Sequence, residues 1–117
     1  MTQRDHPHGL HLIADLSAST GLADPAFVER VLRDAASAAR VTLIDLRLHH
    51  FGESSGVTGV ALLAESHISI HTWPEHELIA IDIFTCGADA RPEAALECIA
   101  RHFKASVLRQ QQINRLA

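Results

Sequence analysis

The sequence predicts an α+β fold, a two-layer sandwich in which a largely antiparallel sheet carries two helices on one face. Apolar and polar residues alternate along several short segments, which is typical of strands with one exposed face. Two other segments have apolar residues at helical spacing, each with a proline near its start. Connections among the middle strands are short, which favours antiparallel pairing.

The chain begins with a predicted strand and a predicted helix. The strand covers residues 10–16, and Gly21 falls in the turn that follows it. Asp24 and Pro25 supply an N-cap and a first-turn proline for a helix over 25–40. Its apolar face comprises Phe27, Val31, Leu32, Ala35 and Ala39.

Five further strands and a second helix follow. The strands are predicted from Val41 to about His49 and over 57–64, 67–71, 78–85 and 106–108. The segment 57–64 is nearly continuously apolar, so we expect it to be buried on both faces. Residues 51–56 form a loop and residues 73–77 a turn. Pro92 opens the second helix, whose apolar face comprises Leu96, Ile99 and Phe103.

Length and charge restrict the class of protein. The chain has 117 residues, 47% of them apolar, which suits one domain over 1–117. Its net charge of −4 lacks the basic character of nucleic-acid and membrane-surface binders. No apolar run approaches the roughly 20 residues of a membrane span, and the polar residues 1–8 predict no secretory signal. We expect a cytoplasmic protein that binds neither nucleic acid nor membrane.

Lysine and cysteine are both scarce. Lys104 is the only lysine and would lie near the end of the second helix, which argues against pyridoxal phosphate, because that cofactor needs a lysine Schiff base. Cys86 and Cys98 stand twelve residues apart with no CxxC motif. Neither a disulfide framework nor a zinc ribbon is expected.

The nine histidines suggest a metal site, but their spacing does not support one. On a helix, His67 and His71 would share a face. On a strand they stand about 13 Å apart, too far to share one ion. His49 and His50 are adjacent and would point to opposite faces of a strand. We predict no metal site and keep a histidine-rich metal-binding module only as the weakest alternative.

A carboxylate and a hydroxyl, Glu65 and Ser66, follow the apolar segment 57–64. Charged residues are seldom buried without a structural or functional reason. From these two residues alone, a polar turn between two strands is the preferred interpretation, and a functional pair is the alternative.

The surrounding sequence changes that preference. Residues 56–87 are GVTGVALLAESHISIHTWPEHELIAIDIFTCG. They closely resemble the prokaryotic S-adenosylmethionine decarboxylase family, marked by an E-S-H-x-[ST]-I-H-T-W-P-E run and a later D-x-F-T-C-G strand end. The segment GLHL at residues 9–12 also resembles the family's N-terminal G-x-H-L strand. The resemblance spans most of the chain.

The resemblance implies a self-processing decarboxylase with a pyruvoyl group. The Ser66 hydroxyl would attack the Glu65 carbonyl, and residue 66 would end as the pyruvoyl group. The chain would then consist of a β chain (1–65) and an α chain (66–117). The pyruvoyl carbonyl would form the Schiff base with substrate that pyridoxal supplies elsewhere, in keeping with the scarcity of lysine.

The resemblance also implies three catalytic roles besides that of Ser66. His71 matches the histidine that removes the Ser66 α-proton during processing. Thr58 stands where the family has a serine that hydrogen-bonds the cleavage intermediate, and it keeps the hydroxyl. Cys86 matches the cysteine that returns a proton to the substrate after CO₂ leaves.

For substrate binding, Phe51 matches a phenylalanine that stacks on adenine, and Glu75 matches a glutamate that binds the ribose hydroxyls. The chain departs from the family pattern near these residues: the loop 51–56 lacks a proline and is one residue longer, aromatic residues are absent from 76–78, and residues 17–20 lack a cysteine and an acid. Glu53 and Glu77 add negative charge.

The leading hypothesis is decarboxylation of S-adenosylmethionine for spermidine biosynthesis. The alternative is a pyruvoyl-dependent arginine or ornithine decarboxylase on the same scaffold. The resemblance further implies a homodimer of (αβ) units with sites near the subunit interface, and no activating effector.

Overall fold

Six strands form one antiparallel sheet in the computed structural model, which describes residues 8–116, and both helices pack on one face of it. Residues 1–7 and 117 of the predicted domain, including most of the polar start, lie outside the described residues. The sheet order is β2-β3-β4-β5-β1-β6. The elements are β1 (Gly9–Ser17), α1 (Pro25–Ala38), β2 (Leu43–His50), β3 (Val57–Leu63), β4 (Ser66–Trp73), β5 (Leu78–Cys86), α2 (Pro92–Phe103) and β6 (Ser106–Arg115). The predicted α+β sandwich is confirmed.

The core lies between the helices and one face of the sheet. Every second residue of the central strands points into it, as the two-residue side-chain period of a strand requires. The largest fully buried side chains are Phe103, Leu12, Leu16, Leu32, Ile68, Ile70, Ile79, Ile83 and Ile99. The opposite face, called the open face below, has no second layer within residues 8–116.

Local signals define both helices as predicted. The Asp24 carboxylate accepts hydrogen bonds from the backbone N–H groups of Ala26 and Phe27 at 3.1 and 3.2 Å, and Pro25 occupies the first turn. The helix ends at Ala38, slightly before the predicted residue 40. At the end of α2, Lys104 adopts a left-handed conformation (φ 52°) as the C-cap.

Two predictions about strands were wrong. β6 extends from Ser106 to Arg115 and not only to residue 108, because it pairs with β1 over the whole length of that strand. Its residues are all exposed, so no alternation marked them as a strand. β3 is buried on one face only: Val60 and Leu62 are exposed on the open face.

No helix among the described residues is long and apolar enough to cross a membrane.

Thr72 is the buried polar residue that ties three segments together near the end of β4. Its hydroxyl accepts a hydrogen bond from the Val57 N–H at 2.8 Å and donates one to the Leu22 carbonyl at 2.6 Å. Thr72→Val would leave both backbone groups without these partners while conserving the side-chain shape. We expect a loss of about 1–3 kcal/mol in the free energy of unfolding, measured by urea denaturation.

Thr20→Val is the matched control, because Thr20 is exposed and its hydroxyl makes only a long contact of 3.4 Å with the Phe103 carbonyl. Equal stability of the two variants would contradict the role assigned to the Thr72 hydroxyl.

Candidate active site

The Glu65–Ser66 peptide lies at the tight turn between β3 and β4. The Glu65 carboxylate accepts a hydrogen bond from the Thr42 N–H at 2.9 Å, and the Glu65 backbone carbonyl accepts one from the Cys86 N–H at 3.0 Å. The carbonyl carbon of the candidate cleavage site is therefore polarised by a backbone donor, as in an oxyanion hole.

Ser66 is the first residue of β4 and has a strained backbone. Its φ of 147° lies in a region that side chains other than glycine rarely adopt. Such a conformation costs on the order of 1–3 kcal/mol and persists only where the surroundings enforce it. Here Ser66 pairs with Leu63 on one side and Thr85 on the other, and the preceding residue is held at both its carbonyl and its side chain. The strain is thus localised at the candidate scissile bond.

Cys86 occupies the same end of the sheet. It ends β5, immediately after Thr85, the cross-strand partner of Ser66. Its side chain is half-buried, and its N–H makes the contact with the Glu65 carbonyl described above. The structure therefore brings Glu65, Ser66 and Cys86 together, three of the residues predicted from the sequence.

The other predicted residues lie at the opposite end of the same strands. Thr58 and His71 are cross-strand partners in β3 and β4, and the Thr58 Oγ lies 3.1 Å from the His71 Nδ1. They line a cavity of about 310 Å³ together with Phe51, Ser55, Gly56, Thr72, Trp73 and Glu75. Both residues predicted to bind substrate, Phe51 and Glu75, are thus in this cavity.

Phe51 is presented to solvent at the rim of the cavity. Its side chain is 63% exposed, and its ring packs edge-on against His49 with centroids 4.6 Å apart. The loop that carries it is closed by a hydrogen bond from the Phe51 N–H to the Gly56 carbonyl at 3.0 Å. Gly56 is required here, because a Cβ would stand 2.0 Å from the Thr72 carbonyl oxygen.

Within one chain, the residues around the Glu65–Ser66 bond do not meet the Thr58–His71 pair. Ser66 and His71 lie on one strand, five residues apart, so their Cα atoms are separated by roughly 16 Å at about 3.3 Å per residue. A proton transfer requires about 3 Å between heavy atoms, or one intervening water. The His71 of a chain is therefore out of reach of the Ser66 of the same chain.

Histidines also assemble a cluster that sequence reasoning missed. Asp82 on β5 contacts both His11 on β1 and His67 on β4. These residues alternate with buried ones on their strands, which is the signal that places them on the open face, but their pairing depends on sheet order. No group of three potential metal ligands converges within residues 8–116.

Comparisons with known proteins identify the family that this chain resembles. A family model described as S-adenosylmethionine decarboxylase matches residues 10–116. The S-adenosylmethionine decarboxylase proenzyme of Thermomicrobium roseum is 39% identical over 107 residues, 92% of each chain. That of Methanococcus aeolicus is 50% identical over 98 residues, 82% of this chain and 83% of the relative. A crystal structure of the adenosylmethionine decarboxylase from Aquifex aeolicus matches with a TM-score of 0.79 and 33% identity, covering 96% of this chain and 92% of the other.

The two cysteines lie in contrasting environments. Cys98 is 3% exposed, on α2. Burial, and next the nearby Asp34 carboxylate, raise the pKa of the Cys98 thiol, although Arg101 acts in the opposite direction. Cys86 is half-buried at the end of the sheet.

Because only the thiolate reacts with alkylating reagents, and a raised pKa leaves less thiolate at a given pH, Cys86 should be labelled by iodoacetamide well before Cys98. Raising the pH should speed the labelling of Cys98. Peptide mass spectrometry locates the label, and Cys86→Ala gives the Cys98 rate alone. Labelling of both thiols at one rate would contradict this prediction.

Proposed function

The chain belongs to the S-adenosylmethionine decarboxylase family, and we propose on that basis that it cuts itself between Glu65 and Ser66 and then removes CO₂ from S-adenosylmethionine. The strained Ser66, whose preceding carbonyl is held by the Cys86 N–H, is the observation that carries the proposal. Ser66 is preceded by a polarised carbonyl and already departs from a relaxed backbone.

Self-cleavage needs no outside reactant other than water. The Ser66 hydroxyl oxygen bonds to the Glu65 carbonyl carbon, and the Glu65–Ser66 C–N bond breaks, so that an amide becomes an ester. Removal of the Ser66 α-proton expels the Glu65 carboxylate and leaves dehydroalanine. Its enamine tautomerises and is hydrolysed to the pyruvoyl group, with loss of ammonia. The Thr58–His71 pair of a second copy of the chain, with its 3.1 Å contact, suits the proton removal, because the pair of the same chain is out of reach.

The residues at the Ser66 end of the sheet fit a pyruvoyl group at position 66. When formed, that group supplies a carbonyl that takes up the substrate amine and an electron sink for the bond to CO₂. Cys86 would return a proton to the substrate α-carbon. Phe51 would stack on adenine, and the Glu75 carboxylate would accept hydrogen bonds from the ribose hydroxyls.

S-adenosylmethionine is favoured over arginine or ornithine as the substrate. The matched family and the named relatives are S-adenosylmethionine decarboxylases, and none of them supports an amino-acid substrate. Phe51 and Glu75 line the cavity, whereas the acidic Glu53 and Glu77, which favoured a small cation, do not. We place the enzyme in the cytoplasm, where its product would donate an aminopropyl group to spermidine synthesis.

A second copy of the chain would complete the site. The open face exposes large apolar side chains that no part of residues 8–116 covers, among them Ile13, Val60, Leu62, Trp73, Leu78 and Ile113. Such a contiguous face is typical of an interface. A two-fold axis across the strands would stack two open faces with the strands reversed. The Ser66 end of one chain would then face the His71 end of its partner.

The cleavage predicts two fragments of 65 and 52 residues in the purified protein, measured by intact mass spectrometry. Ser66→Ala should remain a single chain, because it lacks the attacking hydroxyl. Wild-type protein should release CO₂ from carboxyl-labelled S-adenosylmethionine and not from arginine or ornithine. An uncut wild-type chain, or release from an amino acid alone, would refute the proposal.

The shared site predicts complementation between two defective chains. Ser66→Ala and His71→Ala should each fail to form the pyruvoyl group alone. In a mixed dimer, however, the Ser66→Ala chain supplies His71 to the intact Ser66 of the other chain. Co-expression with two different tags should therefore restore processing of the His71→Ala chain, seen by mass spectrometry. Failure in mixed dimers that are isolated through both tags would exclude a site shared between subunits.

A further inference from the structure

A cluster of polar and aromatic side chains lies on the open face next to the cleavage site, and the chemistry above does not use it. Asp82 extends from β5 between its two neighbouring strands. One carboxylate oxygen contacts His11 Nε2, on β1, and the other lies 3.2 Å from His67 Nε2, on β4. A carboxylate can only accept, so both imidazoles donate through Nε2. His67 is the residue that follows Ser66.

Arg115 contacts His11 on the side away from Asp82. Its guanidinium lies 3.1 Å from His11 Nδ1 and can only donate, so Nδ1 accepts in this contact while Nε2 faces Asp82. The remaining carboxylate oxygen of Asp82 is left for His67.

Phe84 lies between the two imidazoles, because it is the cross-strand partner of both His11 and His67. Its ring centroid lies 5.2 Å from the His11 ring, 6.0 Å from the His67 ring and 5.2 Å from the Arg115 guanidinium carbon. Gly9 leaves room for this ring, since a Cβ there would stand 2.6 Å from it. The two imidazoles are thus held by packing as well as by the carboxylate.

Cleavage changes what holds residue 66 in place. In the intact chain the turn from β3 holds it covalently. After cleavage, residue 66 is the end of a strand, and its backbone nitrogen has left as ammonia. Strand ends fray unless they are tied down. His67 is then the first residue of the α chain with both a backbone N–H and a side chain bound to the sheet.

We propose that Asp82 and His67 form a clamp that keeps residue 66 in register with β5 once the chain has been cut. Both are positioning residues. The contacts of His11 with Asp82 and Arg115 also join the two fragments, because His11 belongs to the β chain while Asp82 and Arg115 belong to the α chain. This inference rests on the proposed self-cleavage.

The test compares His67→Leu, which removes the donor, with His67→Gln, whose amide can still donate to Asp82. In cleaved protein, His67→Leu should raise amide hydrogen exchange over residues 67–70 about tenfold, because the strand end opens locally. Its kcat for S-adenosylmethionine should fall about tenfold with KM within about threefold, since the reacting group is misplaced while the binding cavity is intact. His67→Gln should restore both values.

The same exchange measurement on uncut protein distinguishes a role of His67 that arises only after cleavage from a general role in stabilising β4. In the Ser66→Ala background, His67→Leu should leave exchange over 67–70 unchanged, because the turn still holds the strand. Ser69→Ala, on the same face of β4, is the matched control in cleaved protein and should behave as wild type.

Asp82→Ala removes the His11 contact as well as the His67 contact, so it should raise exchange at least as much as His67→Leu. The double variant should be no worse than Asp82→Ala alone, because the His67 contact is already lost there. Additive effects, equal exchange in cut and uncut protein, or wild-type exchange in cleaved His67→Leu would each overturn the clamp. A wild-type chain that never cleaves would instead refute the proposed function, so the two failures are distinguishable.

Discussion

The antiparallel register of β3, β4 and β5 is the constraint on which the rest of the site depends. It places Ser66 opposite Thr85, which brings the Cys86 N–H to the Glu65 carbonyl, and it places Thr58 opposite His71. A slip of one residue would turn every side chain of a strand to the other face. Burial of one sheet face under the helices therefore fixes which residues meet at the two ends of these strands.

Much of the fold followed from sequence periodicity, because one layer of helices on one face of a sheet leaves a two-residue pattern in the strands. The two-residue pattern did not predict strand length or burial correctly where hydrophobicity does not alternate along the strand. β6 has no buried residue to mark its length, and β3 is apolar on a face that the described chain leaves uncovered. Apolar residues on that face indicate that another surface covers them, but a sequence pattern does not identify that surface.

The residues of the site were identified from a motif, whereas their arrangement was not. The strand spacing that separates His67 from His71 also separates Ser66 from His71, so the sequence already implies that His71 cannot reach the Ser66 of its own chain. The cluster around Asp82 could not, because His11 and Asp82 are 71 positions apart and meet only through the sheet order β4-β5-β1. Long-range pairing of this kind leaves no local signal.

The long exposed edge formed by β6 affects how readily the protein self-associates. Ten residues of backbone run along an edge of the sheet with no strand beyond them among the described residues, and such an edge is a template for pairing between molecules. Arg115 gives this edge positive charge, whereas Arg109 is paired with the Asp15 carboxylate at 3.7 Å, and two like-charged edges repel when they approach. The same arginine that orders His11 thus also limits aggregation, so changes at this edge affect solubility as well as the site.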